Sequence, residues 1–285
     1  MRSLALLVNT KSGRGEAERV EELLEETGVA VECFDVREPE RAASSGAERL
    51  VVAGGDGSIG PAAAAASAED IPVAVVATGT ANDFVAGLGL PSELEEACRL
   101  AAIGEERRTL ELAYVSERPF VNVASIGLSP DAAEHADGLK GRLGPLAYPL
   151  GALKAGLTAH PVRCSVHCDG DLVHDGEAWQ VSVASSGAFG GGAELEADAS
   201  DGRLDLVVIE GSSRIHLIRH AYGMRLGSVE GQSGVIDRRC ASVQLRLAGS
   251  GCLNVDGEIV EADELVQQGT ISFRVEHEVF DLIVG

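Results

Sequence analysis

Leu50-Val51-Val52-Ala53-Gly54-Gly55-Asp56-Gly57-Ser58 carries the strongest signal in this chain. The apolar run is too short for a helix and rich in β-branched residues, so it reads as a buried strand. It feeds into glycines, where the backbone can turn sharply and approach a ligand with no Cβ in the way. Successive backbone N–H groups in such a turn form a concave anion site. Asp56 cannot serve a phosphate directly, because like charges repel, but a divalent cation between the two resolves the conflict. Strand, glycine turn, acid and hydroxyl together point to a nucleoside triphosphate with magnesium. The competing reading is an ordinary tight turn after a core strand.

Outward from this stretch the first 110 residues alternate strand-like and helix-like segments. Leu4–Val8 is a strand that enters the polar loop Asn9–Gly15. Glu16–Thr27 carries Ala17, Val20, Leu23 and Leu24 at helical spacing, and Gly28 stops it. Val29–Val36 is a second strand. Ile59–Ala68 is an alanine-rich helix with Pro61 in its first turn. Ile71–Val76 is a strand entering a second polar loop, Thr78–Asp83, and Leu94–Ile103 is a further helix. Repeated βα units predict a doubly wound parallel sheet with helices on both faces. Ligands of open α/β sheets sit at the carboxyl ends of the strands, where the loops 9–15, 54–58 and 78–83 all fall.

Beyond residue 110 alternating stretches dominate: 109–115, 120–125, 163–168, 179–185, 204–209, 242–247, 271–275 and 279–284. Helical inserts near 145–157 and 214–226 interrupt them. This predicts an α/β domain over 1–110 and a β-sandwich or partly closed barrel over 111–285, with a cleft between them.

Composition narrows the setting. The chain has 285 residues, 45% of them hydrophobic, enough for a full core. The formal charge is −22, which opposes binding to nucleic acid and unaided docking on an anionic membrane. The most basic stretch runs through Arg214, His216, Arg219, His220, Arg225, Arg238 and Arg239, and reads equally well as a solvated helix face. The six cysteines are scattered in a chain too large to need disulfide staples, so free thiols in a reducing cytoplasm are expected. Cys164, His167 and Cys168 lack a second ligand pair at zinc spacing, and read as core residues. The N-terminal apolar run is shorter than a signal-peptide core, and no segment approaches the roughly 20 apolar residues of a membrane span.

The β-rich half adds two turns of interest. Asp198-Ala199-Ser200-Asp201-Gly202-Arg203-Leu204-Asp205 is oxygen-rich around a glycine and could hold a hard cation or be a solvated hairpin turn. Asn254-Val255-Asp256-Gly257-Glu258 holds Asp-Gly after a strand, a common hairpin signal. If that turn faces the cleft, the Glu258 carboxylate could take a proton from a substrate hydroxyl.

In order along the chain, these pieces resemble the bacterial diacylglycerol kinase family, soluble lipid kinases related to sphingosine kinases. Asn9-Thr10-Lys11-Ser12-Gly13 is similar to the family's Asn-Pro-x-Ser-Gly loop. Gly54-Gly55-Asp56-Gly57-Ser58 is similar to its Gly-Gly-Asp-Gly-Thr/Ser turn, and Gly79-Thr80-Ala81-Asn82-Asp83-Phe84 to its Gly-Thr-x-Asn-Asp-Phe motif. Phe120–Gly127, Phe189–Gly192, Asp201–Asp205 and Asp256-Gly257-Glu258 follow in the same order. The resemblance implies an ATP- and magnesium-dependent transfer of the γ-phosphate to a lipid hydroxyl, with transient membrane contact and with a homodimer left open. It implies Glu258 and Asp56 as catalytic residues. It implies nucleotide contacts at Asn9, Ser12, Gly13, Gly54, Gly55, Asp56, Gly57, Ser58, Ile59, Gly60, Thr80, Asn82 and Asp83, and a structural magnesium held near Asp198, Asp201 and Arg203.

The chain departs from the pattern at Thr10 and Ala77, where prolines are usual, and at Gly60-Pro61, where Asn-Glu is usual. Val85-Ala86 stands where an alanine and an arginine are typical, and no replacement for that arginine is evident in the sequence. Two alternatives remain. One is an NAD kinase-like phosphotransferase with the same glycine-aspartate turn. The other is a degenerate member that binds nucleotide or lipid without turnover.

Overall fold

The computed structural model describes residues 3–9, 14–127, 160–185, 188–189, 193–194, 202–211 and 234–285. The N-terminal half runs β1 (Ser3–Val8), α1 (Arg14–Glu25), β2 (Ala30–Asp35), α2 (Pro39–Ala43), β3 (Arg49–Gly54), α3 (Asp56–Ala68), β4 (Val73–Ala77), α4 (Asp83–Gly87) and α5 (Leu94–Ile103). Its strands pair in parallel in the order β4-β3-β1-β2. The side chains of β1, β3 and β4 are buried on both faces, as a parallel sheet covered by helices requires, while the edge strand β2 buries Phe34 and leaves Glu32 and Cys33 exposed. One face packs Leu50, Val52 and Val75 under the alanines of α3 and α2. The other packs Leu4, Leu6, Val51 and Val76 under α1 and α5.

The β-rich half follows as β5 (Arg107–Val115), β6 (Arg118–Phe120), β7 (Val123–Gly127), β8 (Val162–Cys168), β9 (Asp171–Ala184), β10 (Ala188–Phe189), β11 (Ala193–Glu194), β12 (Leu204–Glu210), β13 (Val235–Cys240), β14 (Ser242–Leu247), β15 (Cys252–Val255), β16 (Glu258–Glu261), α6 (Ala262–Leu265) and β17 (Ile271–Ile283). The long β9 organises it. Its first half pairs with β8, and its second half lies between β7 and β12. The curled strands enclose one core that includes Phe120, Val181, Leu206, Leu245, Leu253 and Phe273.

The two halves share a strand. The alternating stretches 271–275 and 279–284 are one continuous strand, β17, with an irregularity between Glu276 and Phe280. It pairs along its length with β5, and Leu282 reaches Val73 of β4. Phe280 and Leu282 therefore fill the core beneath α3, together with Leu110 and Leu112. Residues 279–283 add to the N-terminal layer although they close the chain, and β5 straddles residue 110.

Three local expectations change. The helix expected from Ile59 begins at Asp56, so Pro61 lies beyond its first turn. The expected strand Phe120–Ser125 is broken into β6 and β7, because the Val121–Val123 amides turn to bond a side chain. Cys168 and Cys240 are joined in a disulfide 72 residues apart in sequence, contrary to the expected free thiols. The ends of β8 and β13 come together because β9 pairs with β8 and also with β12, the partner of β13. Cys164 is buried as expected. The helical inserts near 145–157 and 214–226 lie outside the described residues. Among the described residues no helix is long and apolar enough to cross a membrane.

Candidate active site

Strand geometry brings the loops after β1, β3 and β4 to one edge of the sheet. Asn9 follows β1 and is exposed there. The two glycine loops touch backbone to backbone. The Thr78 amide donates to Gly54 O at 3.0 Å, and a Cβ on Gly79 would lie 2.6 Å from Gly55 Cα. Ser58 is turned inward: its hydroxyl donates to Gly55 O at 2.6 Å and occupies the space a Cβ on Gly54 would need. Gly55 is the N-cap of α3 and has no side chain to satisfy the amides of the first turn. Those amides and the helix dipole make this end of α3 suited to an anion.

Asp56 opens α3, yet its carboxylate serves another helix. One oxygen accepts from the Phe84 amide at 3.0 Å and the other from the Asp83 amide at 3.2 Å. It thus caps α4, whose own N-cap, Asn82, holds a left-handed backbone and makes no side-chain cap. Asn82 Nδ2 donates to Gly79 O at 2.9 Å, while its Oδ1 is buried without a hydrogen-bond partner among the described residues. Thr80 is exposed beside it. Burial, and then the Asp56 charge, push the Asp83 carboxyl above the usual aspartate range. Two neighbouring acids at a helix N-terminus, with an orphaned amide oxygen beside them, form a hard-oxygen donor set that fits magnesium and a polyphosphate. Magnesium is commonly held by one or two carboxylates plus substrate phosphates. Among the described residues no group of three or more His, Cys, Asp or Glu side chains is arranged to hold a metal alone.

The other wall comes from the β-rich half. Asp256 and Gly257 both have positive φ, 47° and 89°, and Val255 pairs with Glu258. This is the two-residue hairpin turn that the Asp-Gly pair announces. The Asp256 side chain turns inward and accepts from the amides of Val121, Asn122 and Val123 at 2.7–2.9 Å. Its own amide donates to Val123 O. The hairpin is thereby locked to the segment joining β6 and β7, and β6 is in turn locked to α3. A Cβ on Gly60 would lie 2.8 Å from Pro119 O and 3.1 Å from Phe120 Cα. Because both are backbone atoms, only glycine fits there without moving the β5–β6 hairpin.

This docking seats Glu258 on the glycine turn. A Cβ on Gly57 would be 2.9 Å from Glu258 Cγ and 3.1 Å from its Oε1. The other oxygen, Oε2, accepts from Arg118 Nη2. Glu258 and Asp56 are therefore brought to the same end of α3 from opposite halves of the molecule.

Not every expected contact reaches the site. The Ile59 side chain lies in the core, and Gly60 is covered by Pro119 and Phe120. Ser12, Gly13, Asp198 and Asp201 lie outside the described residues. Arg203 is exposed, with its guanidinium 3.8 Å from Asp169. The neighbouring Gly202 amide donates to buried Glu111 at 2.8 Å, and Gly202 lies against the His277 ring. Sequence reasoning missed Arg118 and the clamp role of Asp256. The Asp-Gly hairpin signal located the turn but could not name the amides it binds.

Two acids, buried Asp205 and half-buried Asp256, make stability depend on pH. Burial, and then the Asp237 charge, push Asp205 up to about 6. Burial pushes Asp256 up to about 7, with the Asp56 charge adding and the three amides opposing. In the unfolded chain both titrate near 3.8, so above that pH the folded chain holds the extra protons. Their contribution to stability is complete below 3.8 and is lost as pH rises through about 6 and 7. The melting temperature in a chelating buffer is expected to fall between about pH 5 and about pH 8, and Asp205→Asn to flatten part of that slope. A melting temperature that climbs across this interval would contradict the assignment.

Comparison with known proteins agrees with this fold. Residues 3–115 match the family model "Diacylglycerol kinase catalytic domain". Residues 122–269 match "YegS C-terminal NAD kinase beta sandwich-like domain". The chain is similar to "Lipid kinase YegS" of Escherichia coli (strain K12), 29% identical over 228 residues, covering 77% of this chain and 74% of that protein. It is similar to "Probable lipid kinase YegS-like" of Klebsiella pneumoniae (strain 342), 28% identical over 218 residues, 74% of this chain and 71% of the other. Among solved structures, a putative diacylglycerol kinase from Bacillus anthracis str. Sterne shares the fold. Its TM-score is 0.76 at 19% identity, covering 100% of this chain and 97% of that one. With both halves matched in order, the chain belongs to the family that joins a diacylglycerol kinase catalytic domain to a YegS-type C-terminal domain.

Proposed function

We propose that the protein is a lipid kinase that transfers the γ-phosphate of ATP to a lipid hydroxyl with magnesium. The observation that carries this is the seating of Glu258 on Gly57, at the end of α3 where Asp56 and the uncapped amides stand. Phosphoryl transfer needs positioning and charge neutralisation more than covalent chemistry. The turn Gly54–Ser58 at the start of α3, with Asn9, Thr80 and Asn82, binds the nucleotide, and Ser12 and Gly13 of the first loop are assigned with them. Asp56 and Asp83 hold the metal. Magnesium, when bound, offsets the charge that builds on the phosphate oxygens. Glu258 accepts the proton of the attacking hydroxyl.

The division at residue 110 follows the same reading, with the first part binding ATP and the second the lipid. The loop around Asp198, Asp201 and Arg203 is assigned to a structural magnesium. The lipid must be met at a membrane by apolar surface or a local basic patch, because the chain's charge of −22 opposes an anionic surface.

The test is labelled ATP offered to a panel of lipid alcohols in mixed micelles: diacylglycerol, monoacylglycerol, phosphatidylglycerol, a sphingoid base and an isoprenoid alcohol, with NAD alongside. Label is expected on at least one lipid and not on NAD. Label on NAD alone, or on nothing, would refute the proposal.

A further inference from the structure

Glu258 begins the edge strand β16, and its side chain is 55% exposed. A glutamate so placed has several staggered rotamers open to it, and only some keep the carboxylate over Gly57. A proton acceptor must hold its oxygen within hydrogen-bond reach of the attacking hydroxyl. Something must therefore restrain the side chain, and among the described residues the donor that reaches its carboxylate is Arg118.

Arg118 is well placed to impose that restraint. It follows the two-residue turn Ser116-Glu117, with Val115 paired to Arg118. The turn is anchored on several sides. Ser116 is buried, its amide donates to Ser272 O at 2.6 Å and its hydroxyl to Leu265 O at 2.5 Å. Pro119 and Phe120, the next residues, press on Gly60 of α3. The guanidinium thus reaches Glu258 from a backbone fixed both to the β core and to the nucleotide helix. It takes Oε2, and Oε1 is the oxygen left beside Gly57.

The geometry points to Arg118 as a positioning residue for transfer: by holding Oε2 it presents Oε1 to the hydroxyl of the acceptor. The inference rests on the lipid kinase reading above. In the step it serves, the hydroxyl O–H bond breaks and its proton goes to Oε1. The hydroxyl oxygen forms the new bond to the γ-phosphorus, and the bond from that phosphorus to the bridging oxygen breaks, releasing ADP. Arg118 neither gains nor loses a proton. The ion pair is partly solvent-exposed, so its contribution to stability is small and its removal leaves the fold standing.

The experiment is a cycle of Arg118→Ala, Glu258→Gln and the double variant, assayed with Mg-ATP and the best lipid of the panel. Arg118→Ala is expected to lower kcat by roughly 10- to 100-fold, the scale of a misplaced catalytic group, with KM for ATP little changed. Arg118→Lys and added guanidinium are expected to restore part of that loss. In the Glu258→Gln background Arg118→Ala should cost almost nothing further, because the two act as one unit. An equal loss in both backgrounds overturns the proposal, and so does a raised KM for ATP at unchanged kcat, which makes Arg118 a phosphate contact. If the wild type phosphorylates no lipid, the functional reading fails, and the positioning role is decided by crystal structures of wild type and Arg118→Ala. Departure of the Glu258 carboxylate from Gly57 in the variant supports the role, and an unmoved carboxylate overturns it.

Discussion

Asp56→Asn is expected to remove phosphate transfer and, as a separate effect, to loosen the short helix α4. The substitution keeps the size of the side chain but removes its charge. A preorganised electrostatic group of this kind is worth roughly 100- to 1,000-fold in rate, and the loss should reach at least that scale. The structural effect comes from the two amides the carboxylate accepts, those of Asp83 and Phe84. Whichever way the new amide sits, one N–H faces another N–H. An unsatisfied buried donor costs about 1–3 kcal/mol, so the variant should unfold at lower urea yet remain folded without it. Magnesium titration separates the two effects. Loss of a metal-binding charge raises the magnesium needed for whatever activity remains, whereas loosening of α4 alone lowers stability and leaves that requirement unchanged. A folded Asp56→Asn variant with near-normal turnover would remove Asp56 from the chemistry and leave it as a helix cap.

That double duty of Asp56 was not legible in the sequence. The glycine turn was, because a short apolar run into glycines is a local pattern, and the close approach of the Gly55 backbone leaves no room for a Cβ on Gly79. The Asp256-Gly257 hairpin was legible for the same reason: positive φ at two consecutive positions selects those residue types. Long-range events left no such mark. Arg118 meets Glu258 across 140 positions. Asp256 finds its three amides more than 130 residues upstream. Cys168 finds Cys240 only after β9 has brought β8 and β12 together. The return of β17 to the N-terminal layer was hidden because its two alternating stretches read as separate strands of the second half.

The departures from the family pattern take on a physical meaning at the domain contact. Gly60, where the family carries a polar residue, lies under the backbone of Pro119 and Phe120. The closeness of α3 to the β5–β6 turn depends on that missing side chain. The same turn carries Arg118, so a basic residue reaches the site from the second half of the molecule, while Val85 and Ala86 stand where the family's arginine is expected.

Glu258→Gln tests the remaining half of the mechanism, and a fall in turnover of roughly 100- to 10,000-fold is expected, the usual range for a general base. Glutamine is close in size, and its carbonyl oxygen can still accept from Arg118, so the side chain should stay against Gly57. What it loses is the ability to take the hydroxyl proton. Nucleotide affinity should change little, because the amides at the start of α3 and the loop after β4 come from the other half of the chain. Binding and turnover measured on one sample therefore distinguish three outcomes. Lost turnover with retained ATP binding assigns the proton to Glu258. Equal loss of both makes Glu258 an organiser of the nucleotide or of the contact between the halves, a role its packing on Gly57 would permit. Retained turnover removes Glu258 from the reaction. The acids left at the site would then be Asp56 and Asp83, and Asp56, whose carboxylate lies at the start of both α3 and α4, would be the candidate for the base.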